Sequence, residues 1–209
     1  DDHPTRDALI AATLALLETL HPEELTLDKI LVASGVSKGS LYHQFSELNA
    51  LIDEALLLDF GRGVYADIAA ITHLTNRAQS KLELAQGLRL VTQISQDPDL
   101  KHRRLRRVSL ILRAQLDPVF SQKLIEIQRE LSDALTQLIR QAQDKKWMSR
   151  TFSPPAAAAL VQAYSLGRLV SQIDGEELPP QEWNQMINTI IEQGLMGLPV
   201  GALIDDSAD

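Results

Sequence analysis

Apolar residues recur three and four positions apart along almost the whole chain, and glycine or proline marks most of the breaks. Alternation of period two is nearly missing, so the pattern predicts an all-α protein of about nine helices. The first helix carries Leu9, Ala12, Leu16 and Leu20 in one stripe. It ends at His21-Pro22, because proline disfavours helix in the residue before it. Thr26 can cap a short second helix containing Leu27, Ile30 and Leu31. Gly35 then supplies a left-handed turn residue, and Ser37 caps a short third helix. A fourth, longer helix starts near Glu47 and runs into the low seventies, with 72–79 read as a connection. Further helices are predicted over Lys81–Ser95, 99–116, 120–147, 154–173 and 181–196, with a loop at 175–180 and a tail at 197–209. The helix over 120–147 sets Leu124, Ile127, Leu131, Leu135 and Leu138 on one face. Three short helices thus precede a series of long ones, without internal repeats.

Composition narrows the function classes. The 209 residues are 44% hydrophobic, enough for a real core rather than a disordered polymer. Cysteine is absent, which excludes a disulfide scaffold and a thiolate zinc site. No apolar run approaches the ~18–20 residues of a membrane span. No basic-then-apolar leader is visible, and the chain opens without methionine, which points to a trimmed start. A cytoplasmic location is expected. Glycine-rich phosphate loops, paired-histidine helices and serine elbows are missing, so neither an enzyme nor a cofactor or metal is expected. A helical carboxylate enzyme, or an interaction module without nucleic acid, stays open as the alternative.

The stretch "SGVSKGSLYHQF" at 34–45 carries the chemistry. Two short helices joined by a three-residue turn with glycine make a helix-turn-helix, although a plain glycine-capped αα-hairpin reads the same way. Val36 would plug the angle between the helices. Leu41 and Phe45, four apart, share the inward face of the third helix. Ser37, Lys38, Gly39, Ser40, Tyr42, His43 and, at the margin, Gln44 then point outward. They are small, or able to hydrogen-bond phosphates and base edges.

The run "TLDKILVASGVSKGSLYHQFSELNALIDEAL" resembles the DNA-binding segment of the TetR family of bacterial transcriptional regulators, and the resemblance covers residues 5–57. It implies a DNA-binding segment over 1–46, followed by an effector-binding and dimerisation region over 47–209. It implies that Thr26 caps helix two and touches phosphate, that Ser37, Lys38, Gly39 and Ser40 present to the groove, and that Tyr42 and His43 grip the backbone. Two positions depart from the family pattern. Leu31 stands where alanine is usual, at the crossing of the two short helices, and Leu48 stands where lysine is usual. The implied protein is a homodimer on a palindromic operator, more often a repressor than an activator, released by a small-molecule effector.

Charge complicates this picture. The net charge is −8, and the first fifty residues hold three basic groups against eight acidic ones. Phosphates respond to local donors rather than local totals. Helix N-termini present free amides with about half a unit of positive charge. Lys38 adds a full charge, and Tyr42, Thr26 and Ser40 add neutral donors. Residues 101–150, by contrast, hold 12 basic and 5 acidic groups.

Within "KHRRLRRVSLILR", Leu105, Val108 and Leu112 define an apolar face. His102, Arg106 and Arg113 fall on one flank of it, while Arg103 and Arg107 point away. The flank suits an anionic ligand, a neighbouring acidic helix through Glu83 or Asp67, or solvent. By the family layout, helices within 60–150 enclose the effector, with candidates Phe60, Tyr65, His73, His102, Arg106, Leu110, Arg113 and Trp147. The aromatics among them read equally as core. Near the end of the chain, Ala156, Ala159, Leu160, Ala163, Leu166, Gly167 and Val170 form one small-and-apolar stripe. Trp183, Met186, Ile187, Ile190 and Gly194 form another. The resemblance makes these a symmetric four-helix dimer interface, while one amphipathic face per helix also suits packing within the chain.

Overall fold

The computed structural model describes residues 4–97, 100–172 and 178–203. Among them are nine α-helices: α1 (Pro4–Leu17), α2 (Leu27–Ser34), α3 (Lys38–Gln44), α4 (Leu48–Arg77), α5 (Lys81–Ser95), α6 (Lys101–Leu116), α7 (Pro118–Asp144), α8 (Pro154–Gly167) and α9 (Pro180–Thr189). Short 3-10 turns occupy Pro22–Glu24 and Arg168–Gln172, and a π-turn over Ile190–Leu195 extends α9. The all-α expectation holds. Pro98, Asp99, Ile173, the first half of the expected 175–180 loop and the end of the expected tail lie outside the described residues.

Element ends differ from the periodic reading at several helices. Helix α1 stops at Leu17 instead of Leu20, and its buried side is Leu9, Ala12, Thr13 and Leu17. The expected connection at 72–79 is mostly helix, because α4 continues to Arg77 and Ser80 opens α5. Ser80 accepts from the Glu83 amide while Glu83 accepts from the Gln79 amide at 2.8 Å, which commits Glu83 to the cap. Helix α7 ends at Asp144, so Trp147 stands beyond it.

The chain forms two compact units. One consists of residues 4–63 with Leu110–Ile127. Its core joins Leu9, Leu17, Ile30, Leu41, Phe45, Leu51 and Leu56 to Leu110, Phe120 and Leu124. Helix α1 packs on both α2 and α3. The other unit takes in Val64–Ser109 and the described part of Gln128–Asp209. There α7 buries Leu131, Leu135, Ile139 and Ala142, and α5 packs on α9. Helices α4 and α5 approach closely at Gly87, where an added Cβ would lie 2.6 Å from the Leu74 side chain. The division expected at residue 46 separates a DNA-reading segment from the rest and is a different cut from this packing division.

Helix α6 corrects the sequence reading. Leu105, Val108 and Leu112, read as its apolar inner face, are exposed, Leu112 by 62%. The buried side chains are Arg104 and Leu110. Arg104 donates through Nη1 to the carbonyls of Ser95 and Asp97 at 2.9 and 3.0 Å. Arg107, read as pointing away, donates instead to the side-chain carbonyls of Gln128 and Gln162 at 3.1 and 3.4 Å. Burial lowers the pKa of both guanidiniums. The charge of Arg168 lowers Arg104 further, whereas Asp67 acts upward on Arg107.

Candidate nucleic-acid interface

The helix-turn-helix is built by local rules. Thr26 caps α2 by accepting from the Lys29 amide at 3.4 Å. Gly35 ends α2 at φ 66°, the left-handed conformation in which a side chain would clash with its own backbone. Its amide closes on the Leu31 carbonyl at 3.0 Å. Residues 35–37 are the turn. Ser37 then caps α3, accepting from the Ser40 amide at 3.1 Å, and the two hydroxyls lie 2.9 Å apart. The last α3 contact, Phe45 amide to Leu41 carbonyl, is 2.8 Å.

Leu41 is fully buried and Phe45 nearly so, which fixes the rotation of α3. Ser37, Lys38, Gly39, Tyr42 and His43 are consequently exposed, and Ser40 is half-buried against its cap. Thr26 is exposed at the end of α2. All seven expected DNA-facing residues therefore lie on the two short helices or their caps. Leu31, where the family has alanine, is half-buried against the core, as is Val36.

Two features of this region had no signal in the sequence. Arg6 of α1 donates to the Gln44 carbonyl at 3.1 Å, pairs with Glu54 of α4, and sets its guanidinium 4.3 Å from the Phe45 ring centre. It ties the end of α3 to α1 and α4. Its partners are 38 and 48 residues away, beyond any local pattern. Val32 is 85% exposed on α2, an apolar side chain on an otherwise polar edge.

The expected effector residues divide between the units. Phe60, Leu110 and Arg113 belong to the first. Leu110 is core, Phe60 packs against that core, and Arg113 pairs with Asp53 and stands 5.6 Å over the Phe120 ring. These contacts replace the flank expected for Arg113. The other five belong to the second unit. Tyr65 is exposed, and its hydrogen bond to Glu130 and that group's charge raise the phenol pKa. His73 lies 3.5 Å from Arg77, and Trp147 is half-buried with the Lys145 ammonium 4.4 Å from its ring centre. His102 is exposed and Arg106 half-buried. Asp67 is the acid that faces Arg103 and Arg107 of α6. Desolvation raises its pKa, and Arg103 and Arg107 act against that rise.

On the final helices, Ala159, Ala163, Val170, Ile190 and Gly194 are exposed, together with Leu160 and Met186. Leu166 is half-buried. Gly167 and Trp183 meet within the chain, where a Cβ on the glycine would come within 3.2 Å of the indole. Ile187 is a correction: it is buried in the chain's own core and presents nothing to a partner.

A helix-turn-helix carried on α1 and followed by an all-helical remainder is the fold of the TetR-family transcriptional regulators, and this chain has that fold. GusR from Salmonella enterica superposes with a TM-score of 0.65 over 93% of this chain and 96% of its own, at 22% identity. A TetR-family transcriptional regulator from Cytophaga hutchinsonii gives 0.69 over 94% and 98%, at 15% identity. A Saccharomonospora viridis protein solved in complex with choline gives 0.69 over 92% and 97%, at 14% identity. No protein-family model and no curated protein matches the chain.

Proposed function

We propose that the chain is a dimeric, DNA-binding transcriptional regulator, a repressor released from a palindromic operator by a small molecule. The carrying observation is the division of α3 into a buried side, Leu41 and Phe45, and an exposed side of donors, Lys38, Tyr42 and His43. Arg6 holds that helix in register, so the exposed side is presented in one orientation. Ser37, Gly39 and Ser40 lack bulk, which lets the backbone of α3 approach the major groove while Thr26 meets a phosphate. The TetR-like fold supports this reading, as does the exposed apolar stripe of α8 and α9, which suits a two-fold interface. Two heads on one dimer raise the effective concentration at the second half-site, which offsets the shortage of basic groups in each head. The choline complex of one structural relative supports a small-molecule effector in the second unit, for which Tyr65, His73, His102, Arg106 and Trp147 remain the residues to test. The protein works in the cytoplasm and performs no catalysis.

The test is selection of duplexes from a random pool, followed by retardation of the winner. A palindromic consensus retained by the dimer supports the reading. Folded protein that enriches no sequence overturns it and leaves a helical interaction module. Retention should weaken only shallowly with salt, because few cations meet phosphate.

A further inference from the structure

Leu41 and Phe45 fix the direction in which every side chain of α3 points. At about 100° per residue, the direction opposite the midpoint of that buried pair falls on His43. Gly39 lies one turn earlier, about 40° away, and carries no side chain. Beyond its chain neighbours and its own helix backbone, a Cβ there would meet only the Ser37 Oγ, at 3.9 Å. The outermost ridge of α3 is therefore a bare turn of backbone followed by a single imidazole. Lys38 and Tyr42 are exposed as well, but at angles nearer the buried pair.

Charge makes that imidazole matter. Residues 1–50 hold three lysines and arginines, Arg6, Lys29 and Lys38. Arg6 is committed to the Gln44 carbonyl and Glu54, and Lys29 donates to the Glu24 carbonyl at 2.8 Å. Lys38 is the one of the three on the exposed side of α3. Protonation of His43 would double the positive charge that this helix turns outward. A free imidazole titrates near about pH 6.5, inside the physiological range. The other titratable groups are spread over the surrounding elements. Lys38 and Tyr42 share α3, and Glu47 follows it. Helix α1 brings Arg6 to the end of α3, where Glu54 of α4 pairs that charge, and α2 carries Asp28 and Lys29.

We propose that duplex binding by this protein is proton-linked through His43. The ring takes one proton per subunit from solvent, and its N–H donates to a phosphate oxygen. The inference rests on the regulator reading of the helix-turn-helix. A phosphate beside the ring favours the protonated form, so the complex keeps the proton to higher pH than the free protein does. Affinity is then full below the free pKa and is lost as pH rises through the pKa of the complex. For a shift of about one unit, affinity should fall roughly sixfold per subunit between pH 6 and pH 8, and roughly 35-fold for a dimer. The salt dependence should also steepen at pH 6 relative to pH 8, by about 1 to 2 in log–log slope, because each imidazolium neutralises a further phosphate.

The experiment is fluorescence anisotropy on the full chain with the selected palindromic duplex, from pH 6 to 8 at constant ionic strength, with circular dichroism at each pH. His43→Gln should flatten the pH profile. His43→Lys carries its charge throughout, so it should flatten the profile as well and bind more tightly than the wild type at pH 8. His21→Gln, which removes an exposed imidazole beyond α1, should keep the wild-type profile. The proposal is overturned if wild-type affinity changes less than twofold across the range, or if His43→Gln keeps the wild-type slope. Tight duplex binding that is flat with pH overturns the proton linkage alone. Folded protein that retains no duplex at pH 6 or pH 8 overturns the regulator reading and the linkage with it.

Discussion

Helices α3 and α6 both mix apolar and polar residues at helical spacing, yet they bury opposite kinds of side chain. In α3 the leucine and phenylalanine go inward and the lysine, tyrosine and histidine go out. In α6 two arginines are drawn inward while Leu105, Val108 and Leu112 are left in solvent. The difference lies in what each helix packs against. Around Leu41 and Phe45 stand apolar residues of α1 and α4. Beside Arg104 and Arg107 stand carbonyls at the end of α5 and the amides of Gln128 and Gln162. A guanidinium is buried at tolerable cost where such acceptors await it. An apolar pattern thus tells which residues could share a face, and the neighbours decide which face is inside.

The sharpest test of inside against outside lies on α9. Ile187→Glu places an unpaired carboxylate in the core and should cost on the order of 4 kcal/mol or more. Ile190→Glu, only three residues on and exposed, should leave the subunit folded and yield monomers. Sedimentation and urea denaturation distinguish the two; a folded dimer from Ile190→Glu would remove this face from the interface. On α3, Leu41→Ala should cost about 2–5 kcal/mol. Its counterpart on the basic helix, Leu112→Ala, should stay within about 0.5 kcal/mol. Equal losses in denaturant would show that the exposed side of α6 is covered in solution, and the contrast with α3 would fail.

Smaller effects sharpen the role of α3. Tyr42→Ala and Lys38→Ala should each weaken duplex binding by about 1–3 kcal/mol with unchanged melting temperature. Normal affinity in both, measured by fluorescence anisotropy, would break the link between exposure and reading. Arg6→Met should also weaken binding, by loosening α3, but with a loss of stability that the two surface variants lack. The smallest expected changes are in the caps. Thr26→Ala and Ser37→Ala should each lower stability by about 1 kcal/mol in thermal melts, as loss of one N-cap bond does.

What the sequence determined by itself is the helix-turn-helix. Thr26, Gly35 and Ser37 act on amides within four residues, so their caps and turn are written in consecutive letters, and Leu41 with Phe45 fixes the rotation of α3. Helix content was legible for the same reason, since its hydrogen bonds are local. Tertiary structure alone decided the rest. Arg6 finds Gln44 and Glu54 across 38 and 48 residues, Arg113 is taken by Asp53, and Ile187 turns into the core while Ile190 does not. The packing of α5 on α9 likewise joins helices distant in the chain. Burial, and with it the energy of each polar group, depends on which surfaces meet, and no period along one helix contains that information.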